Sequence, residues 1–397
     1  MLRKLFLLCL AFLLIVVPAG SAFAQEEDPY VTCGDLTEED CAIVSASREA
    51  MNALTSYSAA VNLDLALTDL PTLPEDLSLA FASDGVFSVN PEITASLLEM
   101  QRMDAEAMAE NMAQMFEIVA DLYFEMGFDM VWDISLSEDL AALVSQSAQT
   151  QVPDALTLAM RMTDGYFYLN LDELAAALPD AEGLEGWIGF DIGTLMSESM
   201  QAAVEQMESG AGADQAVAST AAMTMQQQAL MEASKAYVTV TRLEDSEVDG
   251  VPVAQFLYDF DMAGFIGSPE FSSFLLEQLQ AQMEMNPAAA DSGLTPENLD
   301  MVGAMLPMMG PMLLSGMTFE TTTSIGLEDN YQYGSETHVM WDLSGVTRLA
   351  GVQSSGQPAF ELHVEASNAD FDSAPAIEAP EDATIIPLEE LQGAPVM

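Results

Sequence analysis

The sequence predicts an α+β fold: a large curved antiparallel β-sheet covered by helices. Acidic residues outnumber basic ones 64 to 8 in 397 residues, yet 50% of positions are hydrophobic. So acidic a chain would ordinarily be disordered, but this one carries enough apolar material for a packed interior under a charged surface. Runs in which apolar and polar residues alternate recur from Ser56 to Ser367, the period of a strand with one dry face. Segments of helical period are gathered between those runs, as expected of one α+β domain.

The chain opens on Arg3 and Lys4, an apolar run from Leu5 to Val17, and the small-x-small pattern Ser21-Ala22-Phe23-Ala24. This reads as a secretory signal over residues 1–24, cleaved before Gln25. The apolar run is short for a membrane anchor, although an uncleaved anchor is the alternative. Cys9 lacks the small residues that a lipoprotein signal places before its cysteine, so no lipid-modified N-terminus is expected. The reading is an exported protein, extracellular or periplasmic, with no stable span after signal cleavage.

An acidic arm, residues 25–41, follows and holds Cys33 and Cys41. Export favours a disulfide between them, pinning the arm beside the first helix; two free thiols are the bland alternative. A metal pair is not expected, because the two histidines, His338 and His363, are far away in sequence and two thiolates alone leave a site incomplete. Net charge of −56 opposes binding to nucleic acid or anionic lipid surfaces and favours a soluble monomer.

Residues 42–392 read as the domain. Ala42 to Leu54 has helical spacing, with Asp40 as its cap. Val61, Leu63, Leu65 and Leu67 alternate with polar or small residues, and Leu77, Leu79 and Phe81 repeat the pattern before Ser83-Asp84-Gly85, a turn signal leading into Val86 to Val89. Glu92 to Met126 is helical, an insertion over 92–128, with methionines at helical spacing and Asp104, Glu106 and Glu110 outward. Such a stripe fits core better than a copper site, and methionine also suits an adaptable apolar pocket.

A short helix over Ser137 to Gln146 precedes the clearest strand pair: Leu156, Leu158, Met160 and Met162, a turn at Thr163-Asp164-Gly165, then Tyr166 to Leu171. Gly186 to Ile192 adds a strand. Residues 194–235 form a second helical insertion, rich in Ala, Gln and Met between 200 and 233, with Gly210 and Gly212 inside it. A division into two domains near Gly210 is the alternative organisation.

Tyr237 to Leu243 and Val253 to Met262 form the next hairpin, with Phe256, Tyr258, Phe260 and Met262 on one face. Phe271 to Met285 is helical. Met301 to Met317 is apolar but broken by Pro307, Gly310, Pro311 and Gly316, which suits a hydrophobic flap or an ordinary buried loop and not a spanning helix. Strands over Thr318 to Ile325, Tyr331 to Leu343 and Phe360 to Ala366 finish the sheet, and residues 393–397 are a tail.

Asp164-Gly165-Tyr166-Phe167-Tyr168-Leu169 followed by Gly186-Trp187, then Val248-Asp249-Gly250-Val251-Pro252-Val253, Ser324-Ile325-Gly326-Leu327-Glu328-Asp329 and Ala379-Pro380-Glu381-Asp382-Ala383, resemble in their order the LolA/LolB/LppX-like lipoprotein-carrier superfamily, which includes RseB and LprG. The resemblance spans roughly residues 42 to 392. It implies a half-open antiparallel barrel around helices, with acyl chains held between them. The chain departs from the pattern in its missing lipobox, its two helical insertions and its few cations, and no functional residue of the family maps onto it.

No nucleophile elbow, phosphate loop or dinucleotide fingerprint occurs. His338 and His363 alternate with Val339 and Val364 and so fall on the polar face as solvated histidines. Asp245-Ser246-Glu247-Val248-Asp249-Gly250 lacks the distal glutamate of a calcium loop and reads as a hairpin turn. No catalysis, no metal and no cofactor are expected.

The expected function is a secreted, non-catalytic binding protein that shelters a lipid or other apolar ligand. Met160, Met162, Phe167, Leu169, Phe256, Tyr258, Phe260 and Trp341 are its candidate lining, each equally fitting ordinary core. The alternative is a structural or protein-interaction module with a filled interior.

Overall fold

The computed structural model describes residues 32–70, 76–101, 111–148, 152–172, 186–208, 229–285, 305, 307–349, 351 and 356–387. The predicted signal, the arm before residue 32, Asp104, Glu106, Glu110, Gly210, Gly212 and the tail lie outside these residues.

Helix α1 (Glu38–Asn52) leads into β1 (Ser56–Thr68) and β2 (Leu77–Ser88). Helices α2 (Pro91–Gln101) and α3 (Met112–Glu125) precede β3 (Gly127–Leu136), and α4 (Glu138–Ala148) precedes β4 (Ala155–Thr163), β5 (Tyr166–Asn170) and β6 (Trp187–Asp191). After α5 (Ile192–Glu208) come β7 (Val238–Arg242), β8 (Ser246–Val248) and β9 (Val251–Phe260), then α6 (Met262–Ile266), α7 (Pro269–Met285) and α8 (residues 307–313). The chain ends with β10 (Met317–Gly326), β11 (Gln332–Asp342), α9 (Ser344–Leu349), β12 (Ala359–Ala369) and β13 (Thr384–Ile385).

The 13 strands among the described residues join one sheet, in the order β13-β6-β5-β4-β3-β2-β1-β12-β11-β10-β9-β7, with β8 beside β9. Two antiparallel meanders, β1 to β6 and β7 to β12, meet where β1 pairs with β12. The sheet is open, since β7 and β13 stand at opposite ends of that order. One parallel pair, β13 with β6, departs from the all-antiparallel expectation. Two residues carry no periodicity from which that strand could be read.

Register assigns the two faces, because directly paired residues point the same way. One row runs Leu156, Ile134, Phe81, Leu63, Val364, Thr337, Thr321, Tyr258, Val240 across nine strands. It is apolar apart from the two threonines, whose hydroxyls bond each other at 2.9 Å. The neighbouring row on the opposite face runs Thr157, Asp133, Ala82, Asn62, Glu365, Glu336, Thr322, Leu257, Thr241. Acid on one face and hydrocarbon on the other reconcile the charge with the hydropathy.

Helix α1 begins earlier than its apolar spacing suggests. Thr37, not Asp40, is the cap: its hydroxyl accepts from the Asp40 amide at 3.2 Å, while Glu38, Glu39 and Asp40 fill the first turn. Cys33 and Cys41 are disulfide-bonded with Cα atoms 5.4 Å apart, tying the arm to this first turn. Val44 of α1 packs with Val240, Ala254, Phe256 and Ile325 in one buried cluster; Leu63, Val339 and Leu362 form a second.

Three further expectations are corrected. Ser83-Asp84-Gly85 does not turn but lies inside the continuous strand β2. A Cβ at position 85 would stand 2.9 Å from that of Met130, so this glycine serves close strand approach. Residues 127–136 form β3, which overlaps the insertion expected over 92–128. Phe128, Met130, Trp132, Ile134 and Leu136 alternate there with Asp129, Val131, Asp133 and Ser135, but directly after an apolar helix the change of period is masked. Met262 leaves strand β9, because Asp261 caps α6 by accepting from the Gly264 amide at 2.8 Å. The turns at Asp164-Gly165 and Asp249-Gly250 form as expected, each residue at positive φ.

Candidate functional site

The candidate site is the apolar face of the sheet. Met160 stands opposite Leu169 and Met162 opposite Phe167 across β4 and β5, so these four residues form one patch. Phe256, Tyr258 and Phe260 follow one another along β9, and Trp341 stands on β11 opposite Met317 and Phe360. All eight fall on the same face, in two groups: six strands separate β4 from β9. At about 4.8 Å per strand the two groups lie roughly 34 Å apart along the sheet.

Their environments differ. Phe256 is fully buried under α1, with the Arg242 guanidinium 5.0 Å from its ring centre. Met160 and Met162 are buried, whereas Phe167, Leu169, Tyr258, Phe260 and Trp341 are half-buried. Phe167 meets Phe128 edge-on at 6.2 Å, and Phe260 packs on Phe265 and Phe319. Burial pushes the Tyr258 phenol far above its ordinary value, so it stays neutral. The Trp341 indole donates to the Leu313 carbonyl at 3.0 Å, pinning the end of α8 over β11. The apolar segment expected as flap or buried loop is thus helical over residues 307–313, with Met308 79% exposed.

Between the two groups lies apolar surface that the lining prediction omits. Leu79, Phe81, Met130, Trp132, Ile134 and Leu158, on β2, β3 and β4, are all half-buried on this face. Phe81 and Trp132 touch edge-on at 5.5 Å. Among the described residues, α3 packs mainly on α5 and α4 touches β2, and these six side chains keep part of their surface exposed. Alternation in β2 and β4 was the signal available for Leu79, Phe81 and Leu158; the rest came with the unassigned β3.

A separate open cleft of about 380 Å³ is lined by Ala229, Leu230, Pro269, Glu270, Ser273, Phe274 and Glu277, none of them among the eight candidates.

The opposite face holds groups that the sequence reading left apart. His338 and His363 are direct cross-strand partners on β11 and β12, and both approach Glu336. Among the described residues, Glu336, His338 and His363 are the group placed to hold a metal ion. No helix among the described residues is long and apolar enough to cross a membrane.

No family model and no curated protein matches the chain. Among solved structures it is similar to the Mycobacterium tuberculosis lipoprotein LppX, at 8% identity, covering 85% of this chain and 97% of that one with a TM-score of 0.29. LprF from Mycobacterium bovis aligns at 10% identity over 87% of this chain and 98% of its own, with a TM-score of 0.30. A β-barrel-like protein of a domain of unknown function from Brucella abortus aligns at 7% identity over 80% and 98%, with a TM-score of 0.14. At these TM-scores the frameworks do not superpose closely.

Proposed function

We propose that this is an exported, non-catalytic binding protein whose single domain, residues 42–392, shelters a lipid or other apolar ligand against the dry face of its sheet. One observation supports the reading above the rest: apolar side chains on β2, β3 and β4 face the same way as the buried core yet keep solvent access. Fully burying side chains of this size contributes about 1.5–3 kcal/mol each. Hydrocarbon laid on Phe81, Trp132 and Leu158 would therefore gain affinity without any polar recognition. The extended row of lining suits a long, narrow acyl chain better than a compact molecule.

A second reading, a protein-interaction module, draws on the cleft beside α7, whose lining includes none of the eight candidate residues. Native mass spectrometry and solvent extraction of protein purified from its own host separate the two. Carriage predicts a co-purifying lipid at near-stoichiometric amount that organic solvent releases. Protein that is empty after gentle purification, and that fails to take up added lipid from vesicles, contradicts carriage and favours the module.

A further inference from the structure

The acidic face of the sheet carries a constellation independent of the apolar one. The chain has two histidines, and the register of β11 and β12 sets them directly opposite each other. Their rings stack at 4.2 Å with 14° between planes. This brings both Nε2 atoms to the same carboxylate oxygen: His338 Nε2 lies 2.9 Å and His363 Nε2 3.2 Å from Glu336 Oε1. Hydrogen bonding from His338 is the main reason the Glu336 carboxyl is held below its ordinary value, so it is ionised at neutral pH.

The surroundings add negative charge. Glu320 on β10 is the cross-strand partner of His338, and Asp64 on β1 is the partner of His363. Glu365 stands opposite Glu336, and Glu361 is two residues from His363 on the same face. Five carboxylates thus frame two imidazoles on four adjacent strands.

We propose that Glu336, His338 and His363 form a binding site for a divalent first-row transition metal, with Zn2+ as the representative ion. The three ligand atoms lie within 4.8 Å of one another. A tetrahedral Zn2+ with bonds of about 2.0–2.2 Å spaces its ligand atoms roughly 3.3–3.5 Å apart. Because the two rings stack nearly parallel, both must turn about their side-chain torsions for their Nε2 lone pairs to converge on one ion, while the Nε2–Oε1 spacings of 2.9 and 3.2 Å widen slightly. Two imidazoles select such metals over Ca2+ or Mg2+, which take all-oxygen shells. His338 and Glu336 side chains are each 53% exposed and His363 39%, so the remaining positions are open to water or to a ligand from a partner. Strand pairing already fixes the three Cα positions, so the ion need order only side chains.

The test is calorimetric titration of Zn2+ into the untagged, signal-free chain with Ca2+ in excess to occupy the diffuse acidic surface. One saturable Zn2+ per chain is expected, and His338→Ala or His363→Ala weakens it at least about tenfold, since even loss of an outer-sphere partner costs a metal site 10–100-fold. Affinity falls on acidification, because protons compete with the ion for the imidazole nitrogens. Both histidine ring signals shift together in nitrogen-resolved NMR on adding Zn2+. Unchanged Zn2+ affinity in the folded His338→Ala, His363→Ala double variant, or no saturable uptake by the parent chain, overturns the site. Neither result bears on lipid binding, which concerns the other face.

Discussion

The two meanders share one sheet but treat its dry face differently. Over β7, β9 and β10, α1 lies tied down by the Cys33–Cys41 disulfide, and Phe256, Ala254, Val240 and Ile325 are sealed beneath it. Over β2, β3 and β4, Phe81, Trp132 and Leu158 remain half-buried, while α3 finds its main partner in α5. Equal hydrophobicity therefore does not mean equal burial. The sealed end is positioned to hold the fold, and the open stretch has apolar area left for something else.

The largest expected difference is in stability. Phe256→Ala, at a residue with no exposed surface, should destabilise by about 3–5 kcal/mol, whereas Trp132→Ala should cost clearly less; paired urea melts check this. Equal losses at both positions would mean that the open stretch is core as well. Next comes the tether: Cys33→Ser should lower stability by about 2.5 kcal/mol, the value expected for so short a loop, and expose the α1 cluster to a neutral apolar dye.

Function should sort the other way. Leu158→Gln should weaken an apolar ligand about tenfold, or 1.4 kcal/mol, in a binding titration, while Val240→Ala should leave that affinity unchanged and reduce stability instead. The smallest effect belongs to the seam between the meanders, where Asp372 accepts from the Thr55 amide at 2.7 Å and hydroxyl at 2.8 Å. The amide bond is the main reason its carboxyl is held below the ordinary value. A carboxylate with a depressed folded pKa contributes stability that is complete above its unfolded value of about 3.9 and is lost as pH falls through the folded one. Parent and Asp372→Asn should therefore differ by at most about 1 kcal/mol near neutrality, since the pair is exposed, and converge in acid denaturation below that range.

Much of this contrast was legible in the residues, for a physical reason. Alternation over Phe256, Tyr258 and Phe260, and over Met160 and Met162, fixes which face a side chain takes, because the strand period is two. It does not say what covers that face, so Phe256 and Phe167 read alike although one is sealed and the other is not. β3 was lost because its alternation abuts an apolar helix, and Gly85 misled because turn chemistry and close strand approach both call for glycine. The meeting of His338 and His363 depends on the register of β11 against β12 across residues 343–358, and no local pattern encodes a register between strands so joined.

The most direct test uses Trp132 as its own reporter. In a Trp187→Phe, Trp341→Phe chain, which leaves Trp132 as the sole tryptophan, titration with a brominated acyl lipid should quench the indole fluorescence saturably at about one lipid per chain. Undiminished Trp132 emission from the folded protein, at lipid concentrations that saturate the parent chain, would contradict a ligand lying on the open stretch of the sheet.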